Sequence, residues 1–111
     1  MNLSIVIISY KSLEKLEKCL SCLGKNVEII VIENSNSFQF REIIEKKYNN
    51  TKVIINNENL GYGKAANIGF QQIKKKYALL LSTDVKIDES QLIKIENEIT
   101  NCNGNFALAT P

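Results

Sequence analysis

The stretch Asn59-Leu60-Gly61-Tyr62-Gly63-Lys64-Ala65-Ala66-Asn67-Ile68-Gly69 holds two glycines and a lysine where a helix is predicted to start. Glycines there let another group approach the backbone, a helix amino terminus favours anions, and Lys64 adds a positive charge in the first turn, so a diphosphate suits the segment. The competing reading is a tight turn followed by small residues, Ala65, Ala66 and Gly69, that pack closely on a sheet. Asp84 follows the apolar run 77–81 and the small hydroxyl residues Ser82 and Thr83. A carboxylate at a strand end beside a phosphate site is what Mg²⁺ or Mn²⁺ requires, because these hard ions take oxygen ligands shared between carboxylates and substrate phosphates; a plain turn aspartate is the alternative. Glu33 directly follows a second apolar run and could accept hydrogen bonds from a ribose hydroxyl or a base N–H, although terminal acids are more often solvated. Asp88, with Gln91 three residues on, is better explained as a helix cap.

These residues need a scaffold that brings strand ends together. Residues 5–8, 27–32, 53–55 and 77–81 are largely β-branched apolar runs, interrupted only by Glu28, the signature of strands covered on both faces. Between them lie helical patterns: Leu13, Leu16, Leu20 and Leu23 behind a candidate cap at Ser12 and before Gly24; residues 38–48, with Phe40, Ile43, Ile44 and Lys47 spaced for one buried stripe; and residues 61–75. A last helix carries Leu92, Ile95 and Ile99, and residues 106–109 could begin a fifth strand. This βαβα rhythm predicts a single α/β domain over residues 1–111, an open, mostly parallel sheet with helices on both faces in three layers. In such sheets ligands bind outside the carboxyl ends of the strands, where Ser9-Tyr10, Glu33-Asn34, the 59–69 segment and Asp84 all fall.

Several function classes are excluded. A chain of 44% hydrophobic and 23% charged residues builds a packed core and is no disordered tail, and a net charge of +2 does not mark a nucleic-acid binder. Three cysteines and no histidine leave a structural zinc site short of a ligand. Cys19 and Cys22 have C-x-x-C spacing but fall late in a helix, whereas redox pairs use a helix amino terminus to lower the thiol pKa. The run Lys74-Lys75-Lys76 ends a helix where cations suit the dipole, so it reads as a solvated terminus. No stretch is long enough for a signal sequence core or a membrane span, which makes a cytoplasmic location the expectation. The exit of the first strand carries neither G-x-G-x-x-G nor G-x-x-x-x-G-K-[ST], and it lacks the glycine-rich, arginine-containing loop of nucleotidyltransferases.

Taken together, residues 4–12, 28–35, 59–69 and 79–85 resemble, in order and spacing, the nucleotide-binding half of family 2 glycosyltransferases, with their Rossmann-like GT-A fold, and among them the bacterial rhamnosyltransferase-like members. The resemblance implies transfer of a sugar from a nucleotide-diphosphate sugar donor to a hydroxyl of an acceptor glycan or lipid-linked glycan, in cell-surface polysaccharide or glycan synthesis. Donor-nucleotide contacts would come from Ser9, Tyr10, Glu33 (where the family usually has Asp), Asn34, Gly61, Lys64 and Asn67. Asp84 would hold Mg²⁺ or Mn²⁺ with the donor diphosphate, and its solitary carboxylate implies weak affinity without the donor. Such enzymes run to well over 200 residues, so the general base and acceptor pocket are expected outside this chain, which would be a shortened half, inactive alone. The resemblance also implies a location at the inner face of the membrane, and the missing half implies self-association through an exposed sheet edge; the alternative reading is a non-catalytic nucleotide-sugar-binding or partner-docking module.

Overall fold

Apolar runs without polar alternation must be covered on both faces, and in the computed structural model, which describes residues 2–100, they are. Strands β1 (Leu3–Ser9), β2 (Glu28–Glu33), β3 (Thr51–Ile55) and β4 (Tyr77–Ser82) alternate with helices α1 (Leu13–Leu23), α2 (Gln39–Lys47), α3 (Tyr62–Gln72) and α4 (Glu89–Thr100). The strands form one sheet in the order β3-β2-β1-β4 with every pairing parallel. The period of two divides the strand side chains between two cores. Leu3, Ile5, Ile7, Ile29, Val31, Val53, Leu79 and Leu81 pack with Leu16, Cys19, Leu20 and Leu23 of α1, Ile44 of α2, and Leu92 and Ile99 of α4. On the opposite face Val6, Ile8, Ile30, Ile32 and Leu80 meet Ala65 and Ala66 of α3. The three-layer α/β architecture expected from the sequence is present, with three helices on one face and one on the other.

Among the described residues α3 covers its face alone, and its contact surface is made of small residues that let it lie close to the strands. A methyl group on Gly69 would overlap Val6 Cγ1 and come within 3.4 Å of Ile32 Cγ1. Gly69→Ala is therefore expected to destabilise the fold by about 1–3 kcal/mol, the usual range for overpacking a filled core. A thermal melt of the variant no lower than that of the parent would show that α3 can shift to accommodate it.

Local details differ from the sequence reading for identifiable reasons. Ser12 precedes α1 but makes no side-chain cap; its hydroxyl donates instead to Tyr10 O at 2.8 Å. In α2 the buried stripe narrows to Phe40 and Ile44: Ile43 is exposed, and Lys47 points to solvent, where it pairs with Glu17 at 2.7 Å. Glu17 also raises the Lys47 pKa, through that hydrogen bond and its charge. Helix α3 stops at Gln72 rather than 75, because Ile73 turns to extended backbone and packs on the second core. The cap at α4 forms as expected. Gln91 N–H donates to Asp88 Oδ1 at 2.8 Å while Asp88 N–H donates to Gln91 Oε1 at 3.0 Å, and the Gln91 amide holds the Asp88 carboxyl below its ordinary pKa. The candidate strand 106–109 lies outside the described residues.

Candidate functional site

The strand tips end level. Ser9 stands opposite Glu33 and Ile8 opposite Ser82 in register. The ladder continues past the strands, with Asn34 N–H donating to Ser9 O at 2.7 Å and Asn56 N–H to Glu33 O at 3.0 Å. From β1 the chain winds outward through β2 to β3 and then crosses to the other side of β1, so a crevice opens at the carboxyl ends of β1 and β4. A cleft of about 360 Å³ lies there. Of the residues singled out from the sequence it is lined by Ser9, Tyr10, Asn34 and Gly61. Ile8, Ser12, Asn59, Tyr62, Ser82 and Thr83 complete the lining. Tyr10 and Tyr62 are both about half exposed, so two aromatic rings border the opening, where a planar ring could stack.

Glu33 is the last residue of β2 and is fully buried, which sets aside the alternative of a solvated terminal acid. Alternation puts it on the same face as Ile29 and Val31, beneath the start of α1. There its Oε2 accepts the Lys11 N–H at 2.9 Å and the Ser35 hydroxyl. Lys11 adopts φ 50°, a left-handed conformation uncommon outside glycine, which turns its N–H toward the carboxylate. The second carboxylate oxygen, Oε1, is buried with no partner, and so is the hydroxyl of Ser9 across the ladder. Buried polar atoms are nearly always paired, so these two orphans at neighbouring positions, like the Thr51 hydroxyl at the start of β3, are exceptions that call for an explanation.

Asn34 faces the other way, toward α3, and its side chain is fully employed. Its amide N–H groups donate to Asn59 Oδ1 at 2.8 Å and Gly61 O at 3.3 Å. Its carbonyl accepts from Asn56 Nδ2 at 3.0 Å and Leu60 N–H at 2.9 Å. Asn34 is thus a clasp that ties the segment before α3 to the tip of β2. Gly61, at φ 82°, begins α3 without a side-chain cap, and an added Cβ would meet nothing within 4 Å, so the amino end of the helix stays open. Lys64 and Asn67 are exposed on α3 but do not line the cleft.

Asp84 lies just past the cleft, in a recess of about 220 Å³ lined also by Lys15, Lys18, Thr83 and Lys86; Thr83 belongs to both. It is exposed, and Lys15 Nζ approaches its Oδ1 at 3.1 Å. Among the described residues no group of three or more His, Cys, Asp or Glu could hold a metal ion. One hard oxygen donor fits Mg²⁺ or Mn²⁺ only as a shared site, with most ligands supplied by a bound diphosphate and water. The sequence pointed to Asp84 but not to its partner Lys15, which lies on α1, separated from it in the chain by β2, α2, β3, α3 and β4.

The cysteines take no part in this site. Burial, reinforced by Cys22, pushes the Cys19 thiol up to about 11, which keeps it protonated at neutral pH. No helix of the described residues is long and apolar enough to cross a membrane.

Comparison with known proteins gives concordant findings. The family model described as glycosyl transferase family 2 matches residues 4–109. The low-salt glycan biosynthesis hexosyltransferase Agl10 of Haloferax volcanii is 26% identical over 114 aligned residues, which cover 99% of this chain and 36% of that protein. A crystal structure of S. aureus TarS spanning 1–349 superposes with a TM-score of 0.73 at 24% identity, over 90% of this chain and 32% of that one. A second S. aureus TarS structure gives 0.72 at 23% identity and 20% of its length. These superpositions show a shared fold. The chain spans about a third of the length of the hexosyltransferase it matches.

Proposed function

The chain belongs to glycosyl transferase family 2, and from that premise we propose that it forms the donor-binding part of an enzyme that moves a sugar from a nucleoside-diphosphate sugar to an acceptor hydroxyl in glycan synthesis. The observation that supports this reading is the pair of unpartnered buried atoms at neighbouring strand tips, Ser9 Oγ on a residue that lines the cleft and Glu33 Oε1 on one that is fully buried and does not line it. A nucleoside supplies matching groups: a base N–H or ribose hydroxyl to donate to Glu33, and further acceptors for Ser9. Tyr10 would stack on the base. The open amino end of α3, with Lys64 in its first turn, would face the diphosphate, which the helix dipole and unpaired backbone N–H groups favour. Asn34 and Asn67 would act from the flanks, Asn34 by holding Gly61 in place.

Asp84 would hold Mg²⁺ or Mn²⁺ together with the diphosphate oxygens. When bound, such an ion supplies charge neutralisation of the departing nucleoside diphosphate. Lys15 must then release Asp84, an inexpensive step for an ion pair between two exposed side chains. The acceptor and the general base are assigned to no residue of this chain, and transfer by it alone is expected to be absent.

Calorimetric titration with UDP and dTDP, with and without Mn²⁺, tests the reading. The expected result is binding that Mn²⁺ strengthens, with the Mn²⁺ effect lost in Asp84→Ala while metal-free binding persists. No binding of either nucleotide under any condition would overturn the proposal, and an undiminished Mn²⁺ effect in the variant would remove Asp84 from it.

A further inference from the structure

The amino-terminal ends of the strands, at the far side of the sheet from the cleft, are grooved and basic. One groove of about 430 Å³ is lined in part by Glu28, Lys52, Lys74 and Lys75. A second, of about 330 Å³, is lined by Lys25 and Lys47 with Asn49 and Asn50, and those two asparagines also line the first, which makes the grooves one continuous trough. Glu28 is the one acid among the lining residues, and it is engaged: its Oε1 accepts Ser4 Oγ at 2.7 Å and Lys74 N–H at 3.3 Å. Lys47 pairs with Glu17, but no carboxylate among the described residues pairs with Lys25, Lys52, Lys74 or Lys75.

The charge balance decides how unusual this is. Five of the fourteen basic residues and one of the twelve acidic residues line the trough; Glu17, paired with Lys47, and Glu89, whose Oε1 accepts Asn26 Nδ2 beside Lys25, lie next to it, so lysines still outnumber acids at this end. The carboxyl ends of α1, α2 and α3 point the same way and favour lysines there, yet at about half a negative charge each they do not offset the four ammonium groups left after Lys47 pairs with Glu17. The lysines come from four places in the fold, the turns after α1 and α3, the end of α2, and edge strand β3, and they are all exposed. They form a broad array at one level of the molecule, not a pocket closed around a single anion. No aromatic side chain lines either groove, so nothing there stacks on nucleic-acid bases.

We propose that this end of the sheet docks on a bilayer surface rich in anionic lipids, with the lysine ammonium groups among the headgroup phosphates and the cleft turned toward solution. Lysines on long aliphatic stems suit such a surface, and each one near it strengthens binding about five-fold. This inference stands independently of the donor-binding reading and revises the view of Lys74-Lys75-Lys76 as merely a solvated terminus.

Co-sedimentation of the 111-residue chain with phosphatidylcholine vesicles, with and without about a third phosphatidylglycerol, tests it. Binding is expected only to the anionic vesicles and is expected to vanish in high salt. The combined variant Lys52→Gln, Lys74→Gln, Lys75→Gln should bind them about 100-fold more weakly. The control Lys18→Gln, Lys86→Gln, Lys94→Gln, with the same change in net charge, should bind within a few-fold of the parent. No binding to anionic vesicles, or equal loss in both variants, overturns the proposal. Release by millimolar inorganic phosphate at constant ionic strength would also overturn it, in favour of a small-anion site, as would preferential binding of single-stranded RNA.

Discussion

Glu33→Gln is expected to weaken binding of UDP or dTDP by about 10- to 100-fold while leaving the folded chain at least as stable as the parent. The two halves of this outcome have one cause. In the free chain Glu33 is fully buried, with one oxygen satisfied by Lys11 and Ser35 and the other satisfied by nothing, an arrangement that disfavours the folded state. Glutamine keeps an oxygen for the Lys11 N–H, removes the charge, and offers an N–H to the unpartnered Ser9 hydroxyl opposite. The ligand loses its charged acceptor, and hydrogen bonds to charged groups contribute about 1.5–3 kcal/mol, which sets the size of the affinity change. Calorimetry and a thermal melt on the same preparation read both quantities. Unchanged affinity would make Glu33 a purely structural support for the start of α1.

Asn34→Asp, by contrast, is expected to damage the fold. The change is nearly isosteric, but an aspartate has no N–H to give to Asn59 Oδ1 and Gly61 O, and it places negative charge against both oxygens. Two lost donors in a part-buried network, with the acceptors left facing a carboxylate, correspond to about 2–4 kcal/mol. The segment before α3 should detach from β2 first, so amide exchange should rise at Leu60 and Gly61 before the sheet is affected. Protection there equal to the parent's would show that Asn56 and Asn59 hold the segment without the clasp.

The contrast between these neighbours shows what a sequence conveys about such a site. The strands were legible because residues 5–8, 29–32 and 77–81 are unbroken apolar runs, the pattern of a buried parallel strand. The α4 cap was legible because Asp88 and Gln91 act within one turn. Glu33 was placed correctly at a strand tip, but its burial depends on Lys11 and Ser35 folding over it, and Lys11 does so in a backbone conformation that no local preference for lysine announces. The role of Asn34 as a clasp depends on partners 22 to 27 residues away. The ion pair of Asp84 with Lys15 depends on packing α1 beside β4. Element type is a local property of this chain, whereas the partners of its polar side chains are decided only once the sheet order is set.

The sheet order also governs how the chain acquires its shape during synthesis. β1 leaves the ribosome before the other three strands yet occupies an interior place, and one of its edges is filled only when Leu3 meets Tyr77. Until then the nascent chain exposes the row of backbone groups from Leu3 to Ile8 that β4 will later take, a template for any passing strand. A pause in translation before residue 77 would therefore prolong the interval in which this protein is most prone to aggregate, and a chaperone that shields an unpaired strand would act on it before the cleft exists.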